Sequence, residues 1–342
     1  MPVHPFAAPR GRAERLIVES KALADNLLGD PATRQVAIYL PEGYAERAQE
    51  YPLLVGLAGF TGSGLKHFGW RAFEETLPQR LDRLVALGRM GPVVLACPDG
   101  FTSLGGNQYI DSVVLGRWEE FLLDEMLPRI EAAYRVRRDP RGRSVFGKSS
   151  GGYGALIQAL RHGERWGAVA VHSGDMGFDV VYRRDFAPAL DELARHAGSI
   201  PRFLEQLRDA PKIHSGEMQA LMVLAMAATY DPDPRAPWGV RLPVDPHTCE
   251  LDEERWSRWL AHDPLRLIDR HDCQERLRGL AGLYLDCGSR DQFGCQYGAR
   301  AFVRRLERLA IAHRYEEFDD DHTGVDYRMD VSLPFLYDVT SR

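Results

Sequence analysis

Arg143-Ser144-Val145-Phe146-Gly147-Lys148-Ser149-Ser150-Gly151-Gly152-Tyr153-Gly154 is the stretch that decides how this chain folds. It reads as a buried strand, a sharp turn and a helix over Tyr153–Leu160. Gly147-Lys148-Ser149-Ser150-Gly151 fits G-x-S-x-G, the pattern of a nucleophile elbow. The spacing has a steric reason. A serine at the tip of a strand-to-helix turn sits in a strained conformation, and glycines two residues on either side let the two backbones pass closely. Its hydroxyl is pushed out at the carboxyl end of the sheet, where the amino end of the helix favours developing negative charge. The plainer alternative is a Gly/Ser-rich helix cap, since the chain holds 32 glycines.

Outward from the elbow, short apolar runs alternate with helical periodicity. Strands are expected at Arg15–Ser20, Arg34–Leu40, Pro52–Ala58, Pro92–Cys97, Ala168–His172, Gly282–Cys287 and Ala312–Phe318. Helices are expected at Phe73–Leu87, Arg117–Tyr134, Gly294–Leu309 and Val325–Tyr337. This rhythm predicts an α/β fold of one domain over 1–342, a mostly parallel central sheet with helices on both faces. Residues 1–13 read as a loose arm. Over 174–262 the rhythm breaks. Helical pieces (Asp191–Ala197, Pro201–Leu207, Glu217–Thr229) and the proline-rich Asp231–Trp238 replace buried strands. The segment reads as a helical cap insertion over the carboxyl edge, shaping a pocket, or else as a separate packing unit with no part in binding.

The 342 residues are 44% hydrophobic and 27% charged, the balance of a globular chain. No apolar run is long enough to span a bilayer, so no membrane is expected. Met1-Pro-Val-His-Pro-Phe6 lacks the pattern of a secretion signal, and a cytoplasmic location is expected. Five cysteines form no C-x-x-C pair, which argues against a disulfide framework or a zinc site. A net charge of −6 gives no reason to expect nucleic acid as partner. Oligomeric state stays open, a homo-oligomer included.

A serine nucleophile needs a base, and the base an acid to orient it, in chain order Ser, Asp/Glu, His. Asp291, in Gly288-Ser289-Arg290-Asp291-Gln292-Phe293 directly after a strand, is the candidate acid. Asp286 competes but lies within the strand, and Asp291 could instead be a helix-capping turn residue. His322, in the loop after the last strand, is the candidate base among 11 histidines. His172 precedes the acid in sequence and His313 opens a strand. The acidic Asp319–Asp321 are expected to hold His322 near the surface. The oxyanion hole needs two backbone N–H groups, one from Ser150 and one from the loop Gly59-Phe60-Thr61-Gly62, with Phe60 or Thr61 as donor. That loop could equally be a plain glycine turn. Tyr109, Trp118 and Trp238 could line an aromatic pocket or belong to the core.

These residues together resemble the putative esterase family of α/β-hydrolases, which groups esterase D (S-formylglutathione hydrolase), feruloyl and acetylxylan esterases, enterochelin esterases and the antigen 85 mycolyltransferases. The resemblance is carried by Val36–Tyr44, Tyr51-Pro-Leu-Leu-Val, Ala58-Gly59-Phe60, Pro98-Asp99-Gly100, Gly105–Tyr109, Trp118–Phe121, Gly147–Gly154, Gly288–Phe293 and Asp321-His322. It implies a triad of Ser149, Asp291 and His322, the residues that position selects. Where the family usually has His-Gly after the third strand, this chain has Ala58-Gly59, and the resemblance does not extend to the long Ser173–His262 segment. The expected function is hydrolysis of a small-molecule carboxylic ester or thioester through an acyl-enzyme, with no cofactor and no metal. Acyl transfer to an alcohol is one alternative. The other is a catalytically silent protein of this fold whose cap binds a partner.

Overall fold

The computed structural model describes residues 6–342. Eight strands form the central sheet: β1 (Arg12–Glu19), β2 (Thr33–Leu40), β3 (Leu53–Leu57), β4 (Val94–Pro98), β5 (Arg143–Lys148), β6 (Ala168–His172), β7 (Gly282–Gly288) and β8 (Arg314–Phe318). Their spatial order is β1-β2-β4-β3-β5-β6-β7-β8. β2 runs antiparallel to both of its neighbours, and every other pairing in this sheet is parallel.

The apolar runs become inner strands because both faces of the sheet are covered. In β3, Leu53, Val55 and Leu57 enter one core cluster and Leu54 the other; in β6, Val169 and Val171 part from Ala168 and Ala170 in the same way. One face is packed by α3 (Ser150–His162) and α11 (Cys295–Arg308), the other by α1 (Leu77–Ala86) and α12 (Met329–Thr340). Register aligns the carboxyl ends. Leu57 sits opposite Gly147, Lys148 opposite His172, His172 opposite Asp286, and Phe318 opposite Gly288. The loops after β3, β5, β6, β7 and β8 therefore emerge at one rim.

Several boundaries differ from the sequence expectation for local reasons. α1 starts at Leu77, because Thr76 and Gln79 cap it reciprocally and Phe73 has φ 60°. The helix expected over Arg117–Tyr134 contains a π-helical turn, Phe121–Met126, just before α2 (Leu127–Ala133). Pro128 has no N–H to return to Asp124, which removes one α-helical hydrogen bond there. Arg12 already pairs with Leu40, so β1 takes the last two residues of the arm expected over 1–13; residues 6–11 form no helix or strand, and residues 1–5 lie outside the described residues.

Between β6 and β7 the chain forms α4 (Phe178–Val181), α5 (Phe186–Ala194), α6 (Ile200–Asp209), α7 (Ser215–Tyr230), α8 (Glu253–Leu260), α9 (Pro264–Leu267) and α10 (His271–Gly279). α7 is apolar almost all round and buried along its second half, as a helix enclosed by others must be. Aromatic rings tie this segment together. Phe178 lies 4.7 Å from Tyr182 and 4.9 Å from Tyr230, and Tyr230 lies 5.4 Å from Trp259 and 5.8 Å from Tyr153 of α3. Among the described residues no helix is long and apolar enough to cross a membrane.

Candidate active site

Ser149 sits between β5 and α3 with φ 57° and ψ −125°, outside the regions a side chain prefers. Such strain costs about 1–3 kcal/mol and persists only where the surroundings enforce it. Here they do. The Ser149 N–H donates to the His172 carbonyl at 3.0 Å, and its carbonyl accepts from Tyr153 N–H at 2.8 Å. A Cβ on Gly147 would lie 2.3 Å from the Gly151 carbonyl oxygen, and one on Gly151 would lie 2.1 Å from that of Leu57. The same crowding explains why α3 begins at Ser150 rather than at Tyr153. Gly151 and Gly152 are poor helix formers held in the first turn by close approach, not by propensity.

Asp291 and His322 come from the loops after β7 and β8. These loops touch: a Cβ on Gly288 would lie 2.5 Å from the Asp320 carbonyl oxygen. Asp291 Oδ2 is 2.7 Å from His322 Nδ1, while Oδ1 accepts from Phe293 N–H at 2.9 Å. Burial would push the Asp291 carboxyl up, but the hydrogen bond and charge of His322 and the N–H groups of Phe293 and Cys295 outweigh it and hold it below the ordinary value. Gln292 Oε1 accepts from the His322 N–H at 3.0 Å, and the Phe293 ring stands edge-on to the imidazole at 4.8 Å. His322 is only 8% exposed, against the expectation of a surface position. Its acidic neighbours turn elsewhere. Asp319 pairs with Arg290, Asp320 accepts from the Tyr327 hydroxyl at 2.9 Å, and Asp321 accepts from Thr323 N–H at 2.6 Å.

Asp286 has a histidine partner too, His172 Nδ1 at 2.7 Å, but both are held in the fold. His172 Nε2 meets Ser332 Oγ at 2.9 Å, and Asp286 also accepts from the Tyr284 hydroxyl and from Arg328 Nε. Neither lines a cavity with Ser149.

A cavity of about 720 Å³ opens at the rim, within the size range of small-molecule sites. Ser149, Ser150, Phe60 and His322 line it together. Asp291 stands behind His322. The loop after β3 lies against the serine: a Cβ on Gly59 would be 3.5 Å from Ser149 Cβ. Gly106 N–H donates to the Phe60 carbonyl at 2.8 Å, and the Tyr109 hydroxyl donates to the Ala58 carbonyl at 2.8 Å. Tyr109 thus braces that loop rather than lining a pocket. Trp118 is fully buried, and Trp238 stacks under Arg208; neither reaches the cavity. From the other side, Val181, Tyr182, Met218 and Met222 of the 174–262 segment complete the wall.

Donor atoms of Asp291, Cys295 and His322 lie within 4.8 Å of one another, a spacing that suits a metal ion. The chemistry does not. Asp291 and His322 already share a hydrogen bond, and burial holds the Cys295 thiol well above its ordinary pKa, against the thiolate a metal requires. All five cysteines are unpaired. Sequence reasoning missed Gln108, Asp175 and Tyr182, a buried polar group of which Asp175 and Tyr182 line the cavity. The signal available was Asp175 itself, which follows β6 at the rim as Asp291 follows β7.

Among solved structures, a ferulic acid esterase superposes with a TM-score of 0.62 at 19% identity, covering 97% of this chain and 99% of the other. An S-formylglutathione hydrolase from Agrobacterium tumefaciens superposes with a TM-score of 0.57 at 16% identity, covering 98% and 97%. This likeness shows the α/β-hydrolase fold. Among curated proteins, Esterase Rv1288 of Mycobacterium tuberculosis (strain ATCC 25618 / H37Rv) is 29% identical over 153 residues, 44% of this chain and 30% of that protein. The match thus spans under a third of that relative's length. The sequence model of one family, described as putative esterase, matches residues 31–332. The chain therefore belongs to the putative esterase family.

Proposed function

We propose that this chain is a serine carboxylic ester hydrolase working through an acyl-enzyme. The observation that carries the proposal is that His322, bonded to Asp291, lines one cavity at the sheet rim together with Ser149. Ser149 Oγ attacks the ester carbonyl while His322 Nε2 takes its proton. Asp291 fixes the ring with Nδ1 protonated and stabilises the imidazolium. The N–H groups of Phe60 and Ser150 hold the oxyanion; Ser150 opens α3, where N–H groups have no intrahelical acceptor. The proton on His322 passes to the leaving alcohol. Water, deprotonated by His322, then attacks the acyl-enzyme and releases the acid and Ser149.

The 174–262 segment acts as a helical cap. Its Val181, Met218 and Met222 give the cavity an apolar side suited to the hydrocarbon part of an ester. The related proteins named for ferulate esters and for a glutathione thioester support a small-molecule acyl substrate. Unpaired cysteines, four of them buried, fit a reducing compartment, and the cytoplasm is the proposed location. The test is turnover of p-nitrophenyl acetate by the wild type beside Ser149→Ala. Hydrolysis by the wild type alone is expected; equal turnover by both would refute the assignment.

A further inference from the structure

The mechanism leaves one buried acid on the cavity wall unused. Asp175 lies three residues beyond β6, at the rim that carries Ser149, and lines the same cavity as Ser149 and His322. It is 91% buried by its relative exposure of 9%. Its hydrogen bonds are lopsided. The Tyr182 hydroxyl donates to Oδ2 at 3.0 Å, and Gln108 Nε2 donates to the same oxygen at 3.3 Å. Tyr182 is itself in contact with the Tyr230 hydroxyl at 3.1 Å, and Gln108 also reaches Ser150 Oγ at 3.0 Å. Oδ2 is therefore held in a fixed network, while Oδ1 has no hydrogen bond among the described residues and Asp175 lines the cavity.

A carboxylate has about four acceptor positions, and a buried one that fills only half of them is costly. Burial does push this carboxyl above its ordinary value, against the Tyr182 hydroxyl and His322, which pull it down. From the same 174–262 segment Val181, Tyr182, Ser215, Met218, Gln219 and Met222 also line the cavity, and none of them is cationic. A buried acceptor in a wall segment that offers it no cation selects a ligand that brings a hydrogen there.

Resting on the ester hydrolase reading, we propose that Asp175 is a specificity-determining residue whose Oδ1 accepts a hydrogen bond from a hydroxyl on the substrate group lodged against the 174–262 segment. The preferred substrates are esters in which an apolar acyl or alcohol group bears a hydroxyl. Binding an analogue without that hydroxyl buries Oδ1 unpaired, and such sites discriminate strongly.

The experiment uses matched pairs. p-Nitrophenyl butanoate and phenylpropanoate are compared with their hydroxy forms, and hexyl acetate with the monoacetate of the corresponding diol. In the wild type, at least one hydroxylated ester is expected to exceed its partner in kcat/KM by about tenfold or more. Asp175→Asn is nearly isosteric. Tyr182 and Gln108 donate to the Oδ2 position, so the amide oxygen settles there and its NH2 group faces the cavity. That change is expected to collapse or invert the ratio. A wild type with every ratio below threefold, or a variant with the wild-type ratio, overturns the proposal. Calorimetric binding of the product acids and alcohols makes the same comparison without turnover. Equal affinities within each pair would overturn it there too. Absence of any ester turnover, with hydroxyl-selective binding intact, would instead count against the hydrolase reading alone.

Discussion

Asp291→Asn should abolish most activity without unfolding the protein, and the geometry says why. The two carboxylate oxygens have different partners. Oδ1 accepts from Phe293 N–H at 2.9 Å, and Oδ2 faces His322 Nδ1 at 2.7 Å. In the variant the amide oxygen keeps the Phe293 N–H, because the NH2 group cannot accept it. The NH2 then points at Nδ1 and can be satisfied only if Nδ1 carries no proton. The imidazole is driven to the tautomer protonated at Nε2, the nitrogen meant to receive the Ser149 proton. A wrong tautomer of this kind costs on the order of 10⁴ in kcat, about 5 kcal/mol of transition-state stabilisation. The assay is kcat for p-nitrophenyl acetate at pH 7.5, with circular dichroism and a thermal melt to confirm folding. A folded variant that keeps more than about a tenth of wild-type kcat would refute the orientation argument.

Burial at His262 and the cavity wall at Met222 each have a measurable consequence. His262 is buried beside Arg161, whose Nη2 lies 2.9 Å from its Nδ1, and its pKa is pushed from 6.5 down to about 4 by burial and then by that guanidinium. Between those values the unfolded chain binds a proton that the folded chain does not. His262 thus adds stability that is full above pH 6.5 and falls by about 3 kcal/mol as pH drops to 4. Urea unfolding at pH 7 and pH 4.5 should show a smaller difference for His262→Gln than for the wild type, and equal differences would refute this. Met222 lines the cavity from α7, so Met222→Trp should narrow it. The decanoate-to-acetate ratio of p-nitrophenyl ester turnover should fall about tenfold, and an unchanged ratio would remove the segment from the pocket.

Much of this architecture could be read before any coordinates. Runs such as Leu53–Leu57 and Ala168–His172 are apolar at every or nearly every position because both faces of the sheet are covered, and that leaves a strong signal. Ser149, Asp291 and His322 were legible because each follows a strand, and strand ends share a rim whatever the intervening chain does. What stayed hidden depended on packing between distant segments. α8 carries Trp256, Trp259 and Leu260 on one face, but at eight residues the stripe is too short to stand out until the aromatic cluster around Tyr230 is assembled. Gln108 and Asp175 lie 67 residues apart and become a pair only through the fold. The burial of His322 is not legible in the sequence because three adjacent aspartates suggest solvent, whereas each aspartate is drawn off by its own partner.

The most direct trial of the central claim is to find the reacting atom. Protein treated with a fluorophosphonate is digested and its modified peptide sequenced by mass spectrometry. The account predicts a single adduct on Ser149, formed in the wild type and lost in Ser149→Ala. An adduct on another residue, or equal labelling of the two proteins, would contradict it.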